Sequence, residues 1–134
     1  MARFTTEVAL RWSDMDKFGH LNNAVYGTLF EEARVASMFS EAREAGVESF
    51  EKGVVVARHE TDFLLPVLHE QTVRIELWVE RIGNSSFTFA YELFADDKLA
   101  AKARTVMVLI DAATASPKRI GEREKEFLER WIEE

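Results

Sequence analysis

The chain contains no cysteine. That absence excludes disulfides, thiolate zinc sites and a cysteine nucleophile together. It leaves the redox compartment open. Proline occurs only twice, as Pro66 and Pro117, and both punctuate the chain between patterned segments. The longest aliphatic run is Val106-Met107-Val108-Leu109-Ile110, far short of the roughly 20 residues of a membrane helix. The amino-terminal stretch MARFTTEVALRWSD has no continuous apolar core of the secretory kind, so the expected location is cytoplasmic. Positive charge is in deficit, with 17 Lys and Arg against 24 Asp and Glu, a net −7. Such a chain is a poor general binder of nucleic acid or of an anionic membrane. It holds an anionic ligand only through a local basic patch. Internal repeats, low-complexity tracts and linkers are missing as well.

What remains is 134 residues, 47% apolar and 31% charged. That suits one globular domain over 1–134, burying roughly two thirds of its unfolded surface.

Residues 3–12 alternate and predict a strand. Residues 13–22, SDMDKFGHLN, mix Asp, Gly and Asn and predict an ordered loop. From Asn23 the period changes. Tyr26, Leu29, Phe30, Ala33, Ala36 and Phe39 recur at spacings of three and four, which predicts a helix ending near Gly46. Residues 54–65 predict a strand stopped by Pro66. In 72–82, Val73, Ile75, Leu77 and Val79 face one way and Arg74, Glu76 and Glu80 the other, so this sheet has a dry and a wet face. Gly83-Asn84 predicts a hairpin turn. In 86–95, Phe87, Phe89, Tyr91 and Leu93 share a face, and Asp96-Asp97 forms the next turn. Residues 99–110 turn apolar on both faces, as a central strand does. A closing helix is expected over 121–133, with Phe127, Leu128, Trp131 and Ile132 on one side. The order is strand, long helix, four strands in a meander, closing helix. This is an α+β pattern, packed most simply with the sheet around the long helix.

The segment that carries chemistry is Arg11 to Arg34, RWSDMDKFGHLNNAVYGTLFEEAR. Asp14 and Asp16 precede a helix. Gly19 can supply a positive φ, and Asn22 or Asn23 is a natural N-cap. The first turn of a helix has unpaired N–H groups and partial positive charge. A carbonyl oxygen there gains stabilisation as it becomes an oxyanion. A nearby carboxylate can attack that carbonyl or activate water against it. The same composition also fits a capped helix with an acidic lead-in, and spacing alone does not choose.

The string D-M-D-x-F-G-H-x-N-N-x-x-Y followed by E-E-A-R resembles the signature of hotdog-fold acyl-CoA thioesterases, in the 4-hydroxybenzoyl-CoA thioesterase-like branch. TDFLLP at 61–66 and the turn from Ile82 to Ser86 fall where that family has such segments, so the resemblance covers roughly residues 3–120. It implies a hotdog fold, an antiparallel sheet wrapped around a long central helix. It implies hydrolysis of an acyl-CoA thioester, or of an acyl carrier protein thioester, to the free acid. Asp16 matches the catalytic carboxylate, as nucleophile or general base. The backbone N–H of Asn23 matches the group that polarises the thioester carbonyl. Gly19 would let the loop approach closely, and Tyr26 closes the motif as a substrate contact. The family further implies a homodimer or homotetramer with the site between subunits, and no metal or cofactor.

Other residues divide between roles. Asp14 reads as a loop brace. His20 is placed among the site residues, ordering the loop rather than moving protons, because a coenzyme A thiolate is a fair leaving group near pH 8. Glu31 and Glu32 read as solvated or as partners of Arg34. Glu31 lies about 12 Å along the helix from Asn23, at about 1.5 Å per residue, too far to share one carbonyl. His59 and His69 read as ordinary strand and turn residues, and a zinc site is not expected. Ser85 and Ser86 either bind coenzyme A phosphates or shape the turn, and Arg58, Lys118 and Arg119 are candidate phosphate contacts against the ordinary reading of a solvated charge. Two rival functions fit the same features. One is an acyl-thioester hydratase or dehydratase using His20 with Asp16. The other is a non-catalytic acyl-CoA binding module.

Overall fold

The computed structural model describes residues 3–133. Strand β1 (Phe4–Val8) leads into a 3₁₀ turn at Trp12–Asp14. The strand expected over 3–12 is therefore shorter, because Asp14 accepts the Arg11 N–H and bends the chain out of the sheet. A second 3₁₀ turn, Asn23–Val25, opens helix α1 (Tyr26–Arg34). The helix continues through a π-helical stretch, Val35–Glu41, into one further turn, α2 (Ala42–Glu44). It stops at Gly46, as the sequence predicts, and a short α3 (Ser49–Lys52) follows.

The core face of this long helix holds Tyr26, Leu29, Phe30 and Ala33, all buried. Beyond them the pattern slips. Ala36 and Phe39 are only half-buried, while Ser37, Met38 and Ala42 enter the core. A π-helical turn bonds to the fifth residue rather than the fourth. One extra residue is absorbed, and the buried face moves by one position.

Strands β2 (Val54–Phe63), β3 (Val73–Ile82), β4 (Ser86–Ala95) and β5 (Lys98–Asp111) follow. The two-residue β6 (Ser116–Pro117) pairs with the end of β5. The sheet order is β1-β3-β4-β5-β2, antiparallel throughout. The expected meander of four strands is a meander of three. β2 follows the helix across the sheet and pairs with β5, not with β3. The β4–β5 turn places Asp96 at φ 49° and Asp97 at φ 66°, the pair of positive values that a type I′ hairpin requires.

Alternation predicts the sheet faces correctly. Val73, Ile75, Leu77 and Val79 are buried, as are Phe87, Phe89, Tyr91 and Leu93. Their aromatic rings pack in a row from Phe30 through Tyr91, Phe89 and Phe87 to Phe50 and Phe127. Each such side chain contributes about 2 kcal/mol by leaving water. On the opposite face Arg3 joins Glu76, Glu92 and Glu133 and lies 3.8 Å over the Trp78 ring. The closing helix α4 (Glu122–Glu129) is shorter than expected. Trp131 and Ile132 lie past its end, where the Trp131 carbonyl accepts the Val79 N–H at 2.8 Å. The result is the expected antiparallel sheet curled on a long helix, the hotdog arrangement.

Candidate active site

Local hydrogen bonds set the loop before the helix. Asp14, only 2% exposed, accepts the Arg11 N–H at 2.8 Å and two guanidinium contacts at 2.8 and 3.1 Å. The Arg11 guanidinium holds its carboxyl below the usual range despite burial. Asp14 is thus the loop brace that the sequence suggests. Its carbonyl also accepts the Asn22 N–H at 3.0 Å, closing the loop on itself.

Asp16 sits inside that closed loop. Its Oδ1 accepts the backbone N–H of Phe18 at 2.9 Å and of His20 at 3.3 Å. Its own N–H donates to the His20 carbonyl at 2.8 Å, and its carbonyl accepts the Gly19 N–H at 3.0 Å. Gly19 has φ +79°, a left-handed turn that costs a residue with Cβ about 1–2 kcal/mol. One carboxylate oxygen is therefore fixed by the main chain. The loop is tied across to the β2–β3 connection, where Val67 accepts the Leu21 N–H at 2.8 Å.

Asn22 caps the helix. Its side chain accepts the Ala24 N–H at 3.0 Å and its carbonyl the Val25 N–H at 2.9 Å. The preceding amide in that first turn, Asn23 N–H, finds no backbone or side-chain acceptor among the described residues. Asp16, His20, Asn23 and Tyr26 then line one cleft of about 310 Å³, closed on its other side by Phe63, Leu64, Leu65 and Pro66. Tyr26 packs edge-on to Phe63, ring centroids 4.9 Å apart, and burial pushes its phenol pKa up. The cleft therefore brings together Asp16, the residue that starts the helix, Asn23, and an apolar wall. Sequence patterning does not single out that wall. Three consecutive apolar residues running from the last position of β2 to Pro66 are the signal that marks it.

The remaining candidates lie elsewhere. Arg58 is exposed on β2 and pairs with Glu60 at 3.3 Å. Ser85 and Ser86 form the β3–β4 turn, their carbonyls accepting the N–H of Leu109 and Gly83 at 2.9 and 2.7 Å. That turn lies near Val108, whereas the cleft is buttressed by Ala100, whose carbonyl accepts the Leu64 and Leu65 N–H groups. Eight strand residues separate the two ends, about 26 Å. Lys118 and Arg119 share the distant end, since the Lys118 N–H donates to Leu109.

Of the two alternatives for Glu31 and Glu32, the solvated one fits: both are exposed, and neither forms an ion pair with Arg34 among the described residues. Its guanidinium reaches inward to the Tyr91 hydroxyl at 3.1 Å, and that hydroxyl lies 2.5 Å from Thr105 Oγ1. The aromatic alternation of β4 hides this role, because it marks Tyr91 only as core. His59 sits on β2 with Nε2 2.8 Å from Thr61 Oγ1, its pKa lowered by burial and then by Arg34. His69 packs against Trp12. Among the described residues no group of three or more His, Asp or Glu is placed to hold a metal ion. Nor is any helix among them long and apolar enough to cross a membrane.

Residues 10–131 match the model of the thioesterase-like superfamily. The Bacillus subtilis (strain 168) protein YsmA, described as uncharacterized, is 34% identical over 88 residues, 66% of this chain and 58% of its own length. The match therefore spans little more than half of that relative. A structure described as that of a predicted thioesterase from Bacillus stearothermophilus superposes with TM-score 0.86 at 28% identity, covering 99% of this chain and 98% of the other. A thioesterase from Thermus thermophilus, solved with coenzyme A and Zn, gives TM-score 0.81 at 29% identity, over 95% and 92% of the two chains.

Proposed function

The chain belongs to the thioesterase-like superfamily, and from that premise we propose that it hydrolyses an acyl-CoA thioester to the free acid and coenzyme A. The observation that supports the reading is that Asp16 and Asn23 both line one cleft. The thioester carbonyl oxygen takes the Asn23 N–H, which costs no reorganisation as negative charge develops there. Asp16 either attacks the carbonyl carbon or removes a proton from the water that does. The carbon–sulfur bond breaks and the thiolate leaves, and with a thiol pKa of about 8.5 it needs little acid assistance. Coenzyme A bound to the Thermus relative supports the choice of thiol.

The hydratase reading is less well supported. It asks for an imidazole working with Asp16, yet Asp16 bonds the main-chain N–H of His20 rather than its ring. His20 fits a loop-ordering role.

We also propose that two copies pair through β2. This strand forms one edge of the sheet, with Val55 and Val56 45% and 44% exposed. A ten-residue edge strand with one side unpaired is a template for another strand. Pairing by a two-fold axis sets the two β2 strands antiparallel.

Thiol release from a panel of acyl-CoAs, followed with a disulfide indicator, tests the reading on wild type and Asp16→Asn. Turnover that disappears in a variant with an unchanged melting curve supports it. Undiminished turnover in that variant removes Asp16 from the chemistry. Binding of acyl-CoA without thiol release favours the non-catalytic module.

A further inference from the structure

The inner faces of β3, β4 and β5 are buried under the helix, but that of β2 is not. Residues directly opposite across an antiparallel pair share a face. Val56, His59, Thr61 and Phe63 therefore lie on the helix side, opposite Met107, Thr105, Ala103 and Ala101. Those four β5 residues are buried, whereas Val56, His59 and Phe63 are exposed and Thr61 is half-buried. A seam thus runs between α1 and β2, and it begins at the Tyr26–Phe63 contact in the wall of the Asp16 cleft.

The seam changes character along its length. Its mouth is apolar. Four strand positions from Phe63, the His59 ring crosses to the helix. Phe30 meets it edge-on with centroids 6.2 Å apart, and a Cβ on Gly27 would lie 3.4 Å from its Cε1. His59 Nε2 is 2.8 Å from Thr61 Oγ1, so a hydroxyl and an imidazole meet at this point. Beyond them stands Arg34. Thr105, the cross-strand neighbour of His59, lies 2.5 Å from the Tyr91 hydroxyl that Arg34 contacts. The Arg34 charge is near enough to lower the His59 pKa, after the larger effect of burial.

Arg34 turns away from an available partner. Glu31 stands three positions before it, a spacing that pairs charges on a helix, yet the guanidinium points inward and forms no ion pair among the described residues. Holding the Tyr91 hydroxyl takes one neutral donor. A half-buried cation is a costly way to supply it. The nearest acids on β2, Glu60 and Asp62, alternate to the other face of the sheet. The end of the seam is therefore a cationic pocket without a carboxylate of its own.

We propose that this seam receives the acyl group, and that Arg34, with His59 and Thr61, binds a carboxylate at its far end. The preferred substrate is then the monothioester of a short dicarboxylic acid. This rests on the thioesterase reading and names its substrate class. Gly27 and Phe30 lie about 6 and 10 Å along the helix from Asn23. An extended chain gains about 3.5 Å per three bonds, so about five to nine bonds separate the thioester from the terminal carboxylate.

The test compares ω-carboxyacyl-CoA thioesters with plain acyl-CoA thioesters of equal length over that range. Wild-type kcat/KM should favour the carboxylate-ended member by about tenfold or more at the best length, the worth of a hydrogen bond to a charged group. Arg34→Met should erase that preference. Because Arg34 also holds Tyr91, His59→Glu is the second variant. It leaves the Tyr91 contact in place, sets a negative charge where the carboxylate would sit, and should reverse the preference. Kd values of both thioesters on Asp16→Asn should show the wild-type preference without turnover. A wild type that favours the plain member, or losses equal on both members in the two variants, overturns the proposal. Absence of thiol release from wild type counts against the thioesterase reading alone, since the two Kd values still decide the seam.

Discussion

Asp16 and His20 are joined through the main chain in both directions. The Asp16 N–H donates to the His20 carbonyl at 2.8 Å, and the His20 N–H donates to Asp16 Oδ1 at 3.3 Å. The carboxylate is thus aimed by backbone groups that no substitution at position 20 other than proline removes.

From this follows a split between two variants. Asp16→Asn keeps an oxygen for the turn but loses the charge. It should lower kcat by at least about 100-fold with Tm unchanged. His20→Ala should cost less than about tenfold in kcat, because the bonds that aim Asp16 survive. Steady-state thiol release with paired melting curves checks both.

Asp14→Asn should act on stability. Breaking its ion pair with Arg11 while its side chain stays buried should cost about 1–3 kcal/mol at pH 7. The folded pKa of Asp14 lies below its unfolded value of about 3.9. The charged form therefore contributes fully above that value and its contribution is lost as pH falls through the depressed folded pKa. Urea midpoints of wild type and variant should differ most above about pH 5 and converge as the medium becomes strongly acidic.

Tyr91→Phe should cost about 1–2 kcal/mol, since it leaves Arg34 and Thr105 facing a ring edge in the core. Thr105→Val alone should cost a similar amount. The double variant should cost clearly less than the sum, because both remove one shared network. Chemical denaturation of the four proteins completes the cycle.

Two glycines separate strain from crowding. Gly19→Ala meets open space but keeps φ +79°, so about 1–2 kcal/mol of backbone strain is expected. Gly53→Ala places a Cβ 2.9 Å from the Ile110 carbonyl oxygen and from its Cγ1. Contact with a paired strand cannot relax freely, and about 1–3 kcal/mol is expected there. Only Gly19→Ala should also reduce kcat, as it distorts the turn that holds Asp16. Melting curves and turnover on the same samples distinguish them.

Much of this was legible in the sequence because period and turn chemistry are local. The alternation of β3 and β4 marks their buried faces. Asp, Gly and Asn in 13–22 mark the loop that carries Asp16. Neighbour relations were not legible. β2 reads as a strand whether it pairs with β3 or with β5, and only packing of the helix sends it to the far edge. The Phe63–Pro66 wall depends on that placement, and the link from Arg34 to Tyr91 on how the helix seats against β4. They join residues tens of positions apart, which no local pattern records.

The π-helical stretch Val35–Glu41 bears on how this chain tolerates changes in length. Removing one residue there would return the helix to an ordinary α period. Ala33 before it and Ala42 after it would both still face the core. The same deletion placed earlier, between Tyr26 and Ala33, would rotate the cleft wall away from the sheet. Length is a soft variable at one turn of this helix and a hard one at the others.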